Sequence, residues 1–185
     1  MYRHYKADMN IIEKYNANRQ FLKNGDIILF RGDDTIDHLI QLFDESYFNH
    51  IGIVWKCDDR FLICDATAGR GINIDWLSTR MKQEVDFCTL RVDKMQVFID
   101  NGVSKALLLS DENWGYNYKF ILQIAIKKLT GIDFKGLSNK NAMICSMFVK
   151  EYVQWLGIEE YKTDNLCTPQ DFIRKMTNNL FRVIK

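Results

Sequence analysis

The feature that most restricts this fold is a change of hydrophobic period midway along the chain. Between residues 26 and 92 the apolar side chains come in short runs closed by turn residues, and beyond Asp93 they recur at steps of three and four. The first pattern belongs to strands and the second to helices. Strands first and helices afterwards imply an α+β chain.

In the first half, residues 8–21 have the spacing of a short amphipathic helix through Ile11, Ile12, Tyr15 and Phe21. Asn24-Gly25 is a turn, and residues 26–30 (DIILF) form a buried strand. Gly32-Asp33-Asp34 breaks it, and Thr35 is placed to cap a helix holding Ile36, Leu39, Ile40 and Phe43. Residues 50–55 and 60–66 are two more strands. The tight turn Cys57-Asp58-Asp59 between them makes them antiparallel neighbours. Gly69 and Gly71 bracket a bend, Ile72 to Ile74 is a short strand, and Asp75 is placed to cap a brief helix with Trp76 and Leu77. Residues 84–92 give a further strand with Val85, Phe87 and Thr89 on one side.

In the second half, residues 93–110 are helical, with Met95, Phe98, Ile99 and Val103 as the recurring apolar positions. Residues 118–129 are helical and mostly apolar, and so are expected to be buried, with Gly131 ending them. Residues 141–156 form the third long helix, capped by Gly157. Thr168-Pro169 starts a helix running to Met176, and residues 180–184 form an edge strand.

One domain accounts for residues 1–185, with its core over about residues 24–175 behind an N-terminal helical leader. A single proline and ten glycines leave no visible linker. Basic and acidic residues number 25 and 24, for a formal charge of +1, which argues against a nucleic-acid binder. The four basic residues between Arg174 and Lys185 are the solvated end of the chain. No apolar run is long enough to span a membrane, and the polar N-terminus lacks the apolar stretch of a secretory signal. Five cysteines without a close CxxC pair fit free thiols in a reducing compartment, so a cytoplasmic location is expected.

Only three histidines, His4, His38 and His50, are available for chemistry. His4 sits in a polar leader and His38 beside the apolar positions of a short helix. His50 opens a strand directly after a polar turn, where a side chain can face a cleft. Cys145 lies in the first turn of the third helix, where unpaired amide hydrogens and the positive end of the helix dipole favour a thiolate. It can equally be a core cysteine packed against Val149. Asp65 ends the strand that returns from His50, close enough to orient an imidazole or to cap the strand end. Cys57, Cys64, Cys88 and Cys167 fit small apolar fillers.

Three segments in order, residues 25–30 (GDIILF), 49–54 (NHIGIV) and 145–149 (CSMFV), resemble the circularly permuted NlpC/P60 proteins. These papain-like thiol hydrolases, with YiiX-like and lecithin–retinol-acyltransferase-like members, place the histidine strand before the cysteine helix. The resemblance spans about residues 24–175. It implies an antiparallel sheet or small barrel packed against helices. It makes Cys145 the nucleophile, His50 the base and Asp65 the orienting residue, where the family usually has glutamate. Tyr116 becomes an oxyanion donor, with Tyr118 in reserve and Asn117 where the family tends to carry aspartate, and residues 167–172 (CTPQDF) match a structural closing turn. No metal or organic cofactor is implied. The implied substrate is an amide in a peptide, an isopeptide or a murein fragment, cleaved through an acyl-enzyme. Lipid amide or ester hydrolysis or acyl transfer is the alternative, and an inactive peptide- or protein-binding module is the other.

Overall fold

The computed structural model describes residues 10–32, 46–112, 114–131, 142–158, 168–174 and 181–184. His4, His38 with the helix expected from Thr35, and Cys167 lie outside the described residues.

The elements in chain order are α1 (Ile11–Asn18), β1 (Ile27–Arg31), β2 (His50–Cys57), β3 (Arg60–Thr67), β4 (Gly71–Trp76), α2 (Leu77–Met81) and β5 (Asp86–Val92). They continue with α3 (Gln96–Asp111), β6 (Gly115–Tyr116), α4 (Tyr118–Thr130), β7 (Ala142–Met143), α5 (Cys145–Trp155), α6 (Pro169–Arg174) and β8 (Phe181–Ile184). Six strands form one sheet in the order β4-β3-β2-β1-β5-β8, every neighbour antiparallel. This is the α+β class, with an antiparallel sheet packed against helices. The small-barrel alternative does not hold among the described residues, because β4 and β8 stand at opposite ends of an open sheet.

Both sheet faces are covered, which is why β1 is a continuous apolar run rather than an alternating one. Ile27, Ile28, Leu29 and Phe30 all have no exposed surface. Ile27 and Leu29 join Ile51, Ile53, Cys64 and Leu90 under α3, α5 and α6. Ile28 and Phe30 join Val54, Ile63 and Phe87 under α1 and α2.

The segment Gly25-Asp26 ties β1 to the rest of the fold. Gly25 has φ +80, and a Cβ there would lie 2.6 Å from the Tyr152 hydroxyl and closer still to Ile99, so only glycine fits. That hydroxyl donates to the Gly25 carbonyl at 2.9 Å, which fixes α5 against the start of β1. Asp26 accepts two hydrogen bonds from Arg91 of β5, both at 2.8 Å.

Several expectations shift. The helix expected from residue 141 begins at Cys145, because Ala142 and Met143 pair in parallel with Gly115 and Tyr116 as a two-stranded bridge. Gly157, with φ +74, does follow the end of α5. In α3 the buried stripe is Ile99, Gly102, Val103 and Ala106, while Met95 and Phe98 are exposed. Small residues make that contact because a Cβ at Gly102 would lie 2.8 Å from Leu156 and 2.9 Å from Tyr152, so α3 and α5 touch there. In α4, expected to be buried, Tyr118 and Leu122 are half exposed and Gln123 is buried. Asp75 does not cap α2: it stays in β4 and pairs with Arg70, and Trp76 precedes the helix without a side-chain cap. Val85 is exposed, and β5 starts one residue later.

Candidate active site

His50 opens β2, and Asp65 lies near the end of β3. Two residues, Asp58 and Asp59, close the hairpin, so Cys57 pairs with Arg60 and Gly52 pairs with Asp65. His50 is two residues from Gly52 and therefore shares its face, one diagonal step from Asp65. The imidazole Nε2 and Asp65 Oδ2 are 2.7 Å apart, with the two side chains 8% and 1% exposed.

The strand mouth that carries His50 is held by its neighbour Asn49. That fully buried amide accepts from the Gly32 N–H at 2.9 Å and donates to the Gly32 carbonyl at 3.0 Å. Its own N–H bonds Phe30 O at 3.0 Å. A side chain thus continues the β1–β2 ladder past its last backbone pair, and His50 starts from a fixed point. The Phe30 ring lies 6.1 Å from the imidazole, centroid to centroid. The Arg80 guanidinium of α2 sits 5.8 Å from the same Phe30 ring centroid and pairs with the buried Glu84 at 2.8 Å.

Cys145 reaches the same place from the opposite direction. It is the first residue of α5, is buried, and lies close enough to His50 to act on the imidazole's charge. Nε2 is engaged by Asp65, which leaves Nδ1 as the ring nitrogen available for chemistry. The residue before it, Ile144, has no side chain that can cap the helix. The first amide of a helix has no partner within the helix, so the Cys145 N–H is a potential donor at the residue that carries the sulfur.

Electrostatics follow from this geometry. Burial alone pushes the His50 imidazole down. The negative charge of Cys145 is the next largest influence and pushes it up, Arg80 opposes, and the hydrogen bond to Asp65 together with the Cys145 sulfur carries the balance upward. The net result is a pKa raised from 6.5 to about 10. Cys64 and Cys88 are moved the other way in function: burial is the largest cause pushing both thiols up, Cys88 to about 11. Neither favours a reactive thiolate at neutral pH.

Of the four residues expected to act, His50 and Asp65 are bonded to each other, and Cys145 acts on the same imidazole. Tyr116 lies half-buried on β6, opposite Met143, which is two residues before Cys145. Its ring packs edge-to-face on Tyr118 at 5.0 Å. Asn117, where aspartate is usual in the family resembled, is fully buried, and its amide donates to Ala142 O at 3.2 Å. The reserve candidate Tyr118 is half exposed.

Sequence reasoning missed Asn73. It stands opposite Asp65 on β4, and its Nδ2 lies 3.2 Å from Asp65 Oδ1 and 2.8 Å from Thr67 Oγ1. The signal was a polar residue between two isoleucines in a short strand. Arg80 was missed as well, and nothing local in the sequence marks it.

No family model matches the sequence. No curated protein matches it either. Among solved structures the chain is similar to that of the metalloprotein YiiX (DUF1105) from Escherichia coli O157:H7, with a TM-score of 0.54 and 13% identity. The match covers 88% of this chain and 96% of that one, so the likeness extends over nearly the whole fold. At that identity it is a likeness of fold alone.

Proposed function

We propose that the protein is a thiol-dependent acyl hydrolase or acyltransferase acting on an amide or ester carbonyl. Cys145 is the nucleophile, His50 the base and acid, and Asp65 the group that orients the imidazole. The observation that carries this reading is the buried His50–Asp65 pair at 2.7 Å, with Cys145 at the head of α5 acting on the same imidazole. A nucleophile, a base and an orienter are the parts that covalent catalysis needs.

The thiolate attacks the carbonyl carbon, forming a C–S bond and a tetrahedral oxyanion. First-turn amides of α5 and the Tyr116 hydroxyl stabilise that charge. The oxyanion collapses as His50 gives its proton to the leaving nitrogen or oxygen. Water, deprotonated by His50, then attacks the thioester and releases the acid, or another hydroxyl or amine takes the acyl group. The segments matching the permuted NlpC/P60 pattern support this assignment, and both substrate classes of that resemblance, peptide amides and lipid amides or esters, fall within it.

The description of YiiX as a metalloprotein does not extend to these residues. Among the described residues no three His, Cys, Asp or Glu side chains are grouped to hold a metal ion. His50 Nε2 is also already bonded to Asp65.

One observation favours a second reading, a binding module without turnover: Cys145 is only 2% exposed and His50 6%. Alkylation separates the two. Iodoacetamide near neutral pH, followed by mass mapping, is expected to modify Cys145 before the other four cysteines, and His50→Ala to remove the preference. A panel of peptide amides and acyl esters, with Cys145→Ala as blank, then reports the substrate class. Slow, uniform labelling with no turnover on the panel gives the binding module precedence.

A further inference from the structure

Asp65 has two oxygens, and only one of them faces His50. The other is held from β4. Asn73 is the register partner of Asp65, and its Nδ2 is placed against Asp65 Oδ1 at 3.2 Å and the Asp65 carbonyl at 3.3 Å. The same nitrogen faces Thr67 Oγ1 at 2.8 Å and the Gly71 carbonyl at 3.2 Å. Three of these four atoms can only accept, so the amide must present its NH2 group to them. Its Oδ1 is buried without a hydrogen-bond partner. An acceptor left unsatisfied is unfavourable, so the amide is kept here for its donors.

We infer that Asn73 is a positioning residue of the proposed thiol site, clamping the Asp65 carboxylate so that its other oxygen meets His50 Nε2. The inference rests on the hydrolase reading above. A carboxylate turns freely about its last torsion unless both oxygens are engaged. With Oδ1 held by β4 and Oδ2 on the imidazole, its plane is fixed, and the imidazole plane with it. Asn73 touches no reacting atom and acts only through Asp65. An aspartate is shorter than the glutamate usual at this position in the family resembled, and a second strand supplying a donor compensates for the lost reach.

The test is a double-mutant cycle. Asn73→Leu keeps the volume and removes the donors. It is expected to slow Cys145 alkylation by iodoacetamide at pH 7 by about three- to tenfold, and to lower the pH at which the His50 imidazole titrates by nitrogen NMR. In an Asp65→Ala background the same substitution is expected to change neither readout, because the residue it acts through is gone. Equal losses in both backgrounds would mean a purely structural role and overturn the inference, as would no loss in either. The NMR readout separates this from failure of the hydrolase reading. If wild-type Cys145 is unreactive but the His50 titration still moves with Asn73→Leu only when Asp65 is present, the clamp stands and the nucleophile does not. Should Asn73→Leu fail to fold, Asn73→Ala carries the same cycle.

Discussion

Gly52 lies directly opposite Asp65, and a Cβ at Gly52 would stand 2.9 Å from the Asp65 Cβ and 2.7 Å from Ile63 Cδ1. The glycine in the His50-Ile51-Gly52 segment is therefore the space into which Asp65 and Ile63 fit. Gly52→Ala forces two buried neighbours on β3 to move. It is expected to cost about 1–3 kcal/mol of stability and to displace Asp65 from His50. Urea unfolding reads the first effect and the alkylation rate of Cys145 the second. An unchanged rate in a destabilised variant would detach Gly52 from the site and leave it a packing residue.

The raised titration of His50 has a definite sign. The imidazole binds its proton more tightly in the folded chain, near 10, than at its ordinary 6.5. Its contribution to stability is complete below about pH 6.5 and is lost as the pH rises through about 10. The unfolding free energy of the wild type is thus expected to fall across that window, and His50→Gln to flatten the fall. The negative charge of Cys145 is the largest upward influence on His50, so Cys145→Ser is expected to bring the imidazole titration down, as burial then weighs more. Proton NMR of the imidazole checks this. A titration unmoved by Cys145→Ser would break the link between the two side chains.

The strands were readable from sequence because turn residues mark their ends: Asn24-Gly25, Asp58-Asp59 and Gly69 to Gly71 all bound strands where expected. The Asp58-Asp59 turn also fixed the diagonal between His50 and Asp65, which is how one hairpin placed two site residues. Helix faces were harder to read. The contact between α3 and α5 runs through Gly102, whose importance lies in what it leaves out, while Met95 and Phe98 look like core and are exposed. The start of α5 at Cys145 was hidden because Ala142 and Met143 are acceptable helix formers, and only the pairing with Gly115 and Tyr116 diverts them. Asn73 and Arg80 act on the site from separate elements, and spacing along a chain carries no record of such meetings.

Arg80 is the positive group that opposes the charge on His50. It also neutralises Glu84, whose side chain is 3% exposed. Arg80→Met removes both effects. The imidazole is expected to titrate at higher pH, most readily followed in a Cys145→Ser background. Stability is expected to fall by about 1–3 kcal/mol, because a buried carboxylate loses a partner. Adding Glu84→Gln is expected to restore part of the stability without returning the titration. If the two readouts recover together, Arg80 acts on His50 through packing around Phe30 rather than through charge.

Tyr116 is the proposed group whose role depends most on the chemistry itself. Its strand pairs with Met143, so its backbone is fixed two residues ahead of the nucleophile. A phenol there can donate to an oxygen that becomes negative only after the thiolate attacks. Such a bond is weak to a neutral carbonyl and strong to the oxyanion, so its loss falls on the chemical step. Tyr116→Phe keeps the ring and its edge-to-face contact with Tyr118. On an activated acyl ester whose turnover Cys145→Ala abolishes, kcat is expected to drop by about 100-fold, with KM nearly unchanged. The release of the chromophore in the first turnover should slow by the same factor, since acylation forms the first oxyanion. Tyr118→Phe serves as the neighbouring control and is expected to leave both values in place. A reversed result, with Tyr118→Phe slow and Tyr116→Phe normal, would move the donor along the chain. Full activity in both would leave the first-turn amides of α5 as the donors.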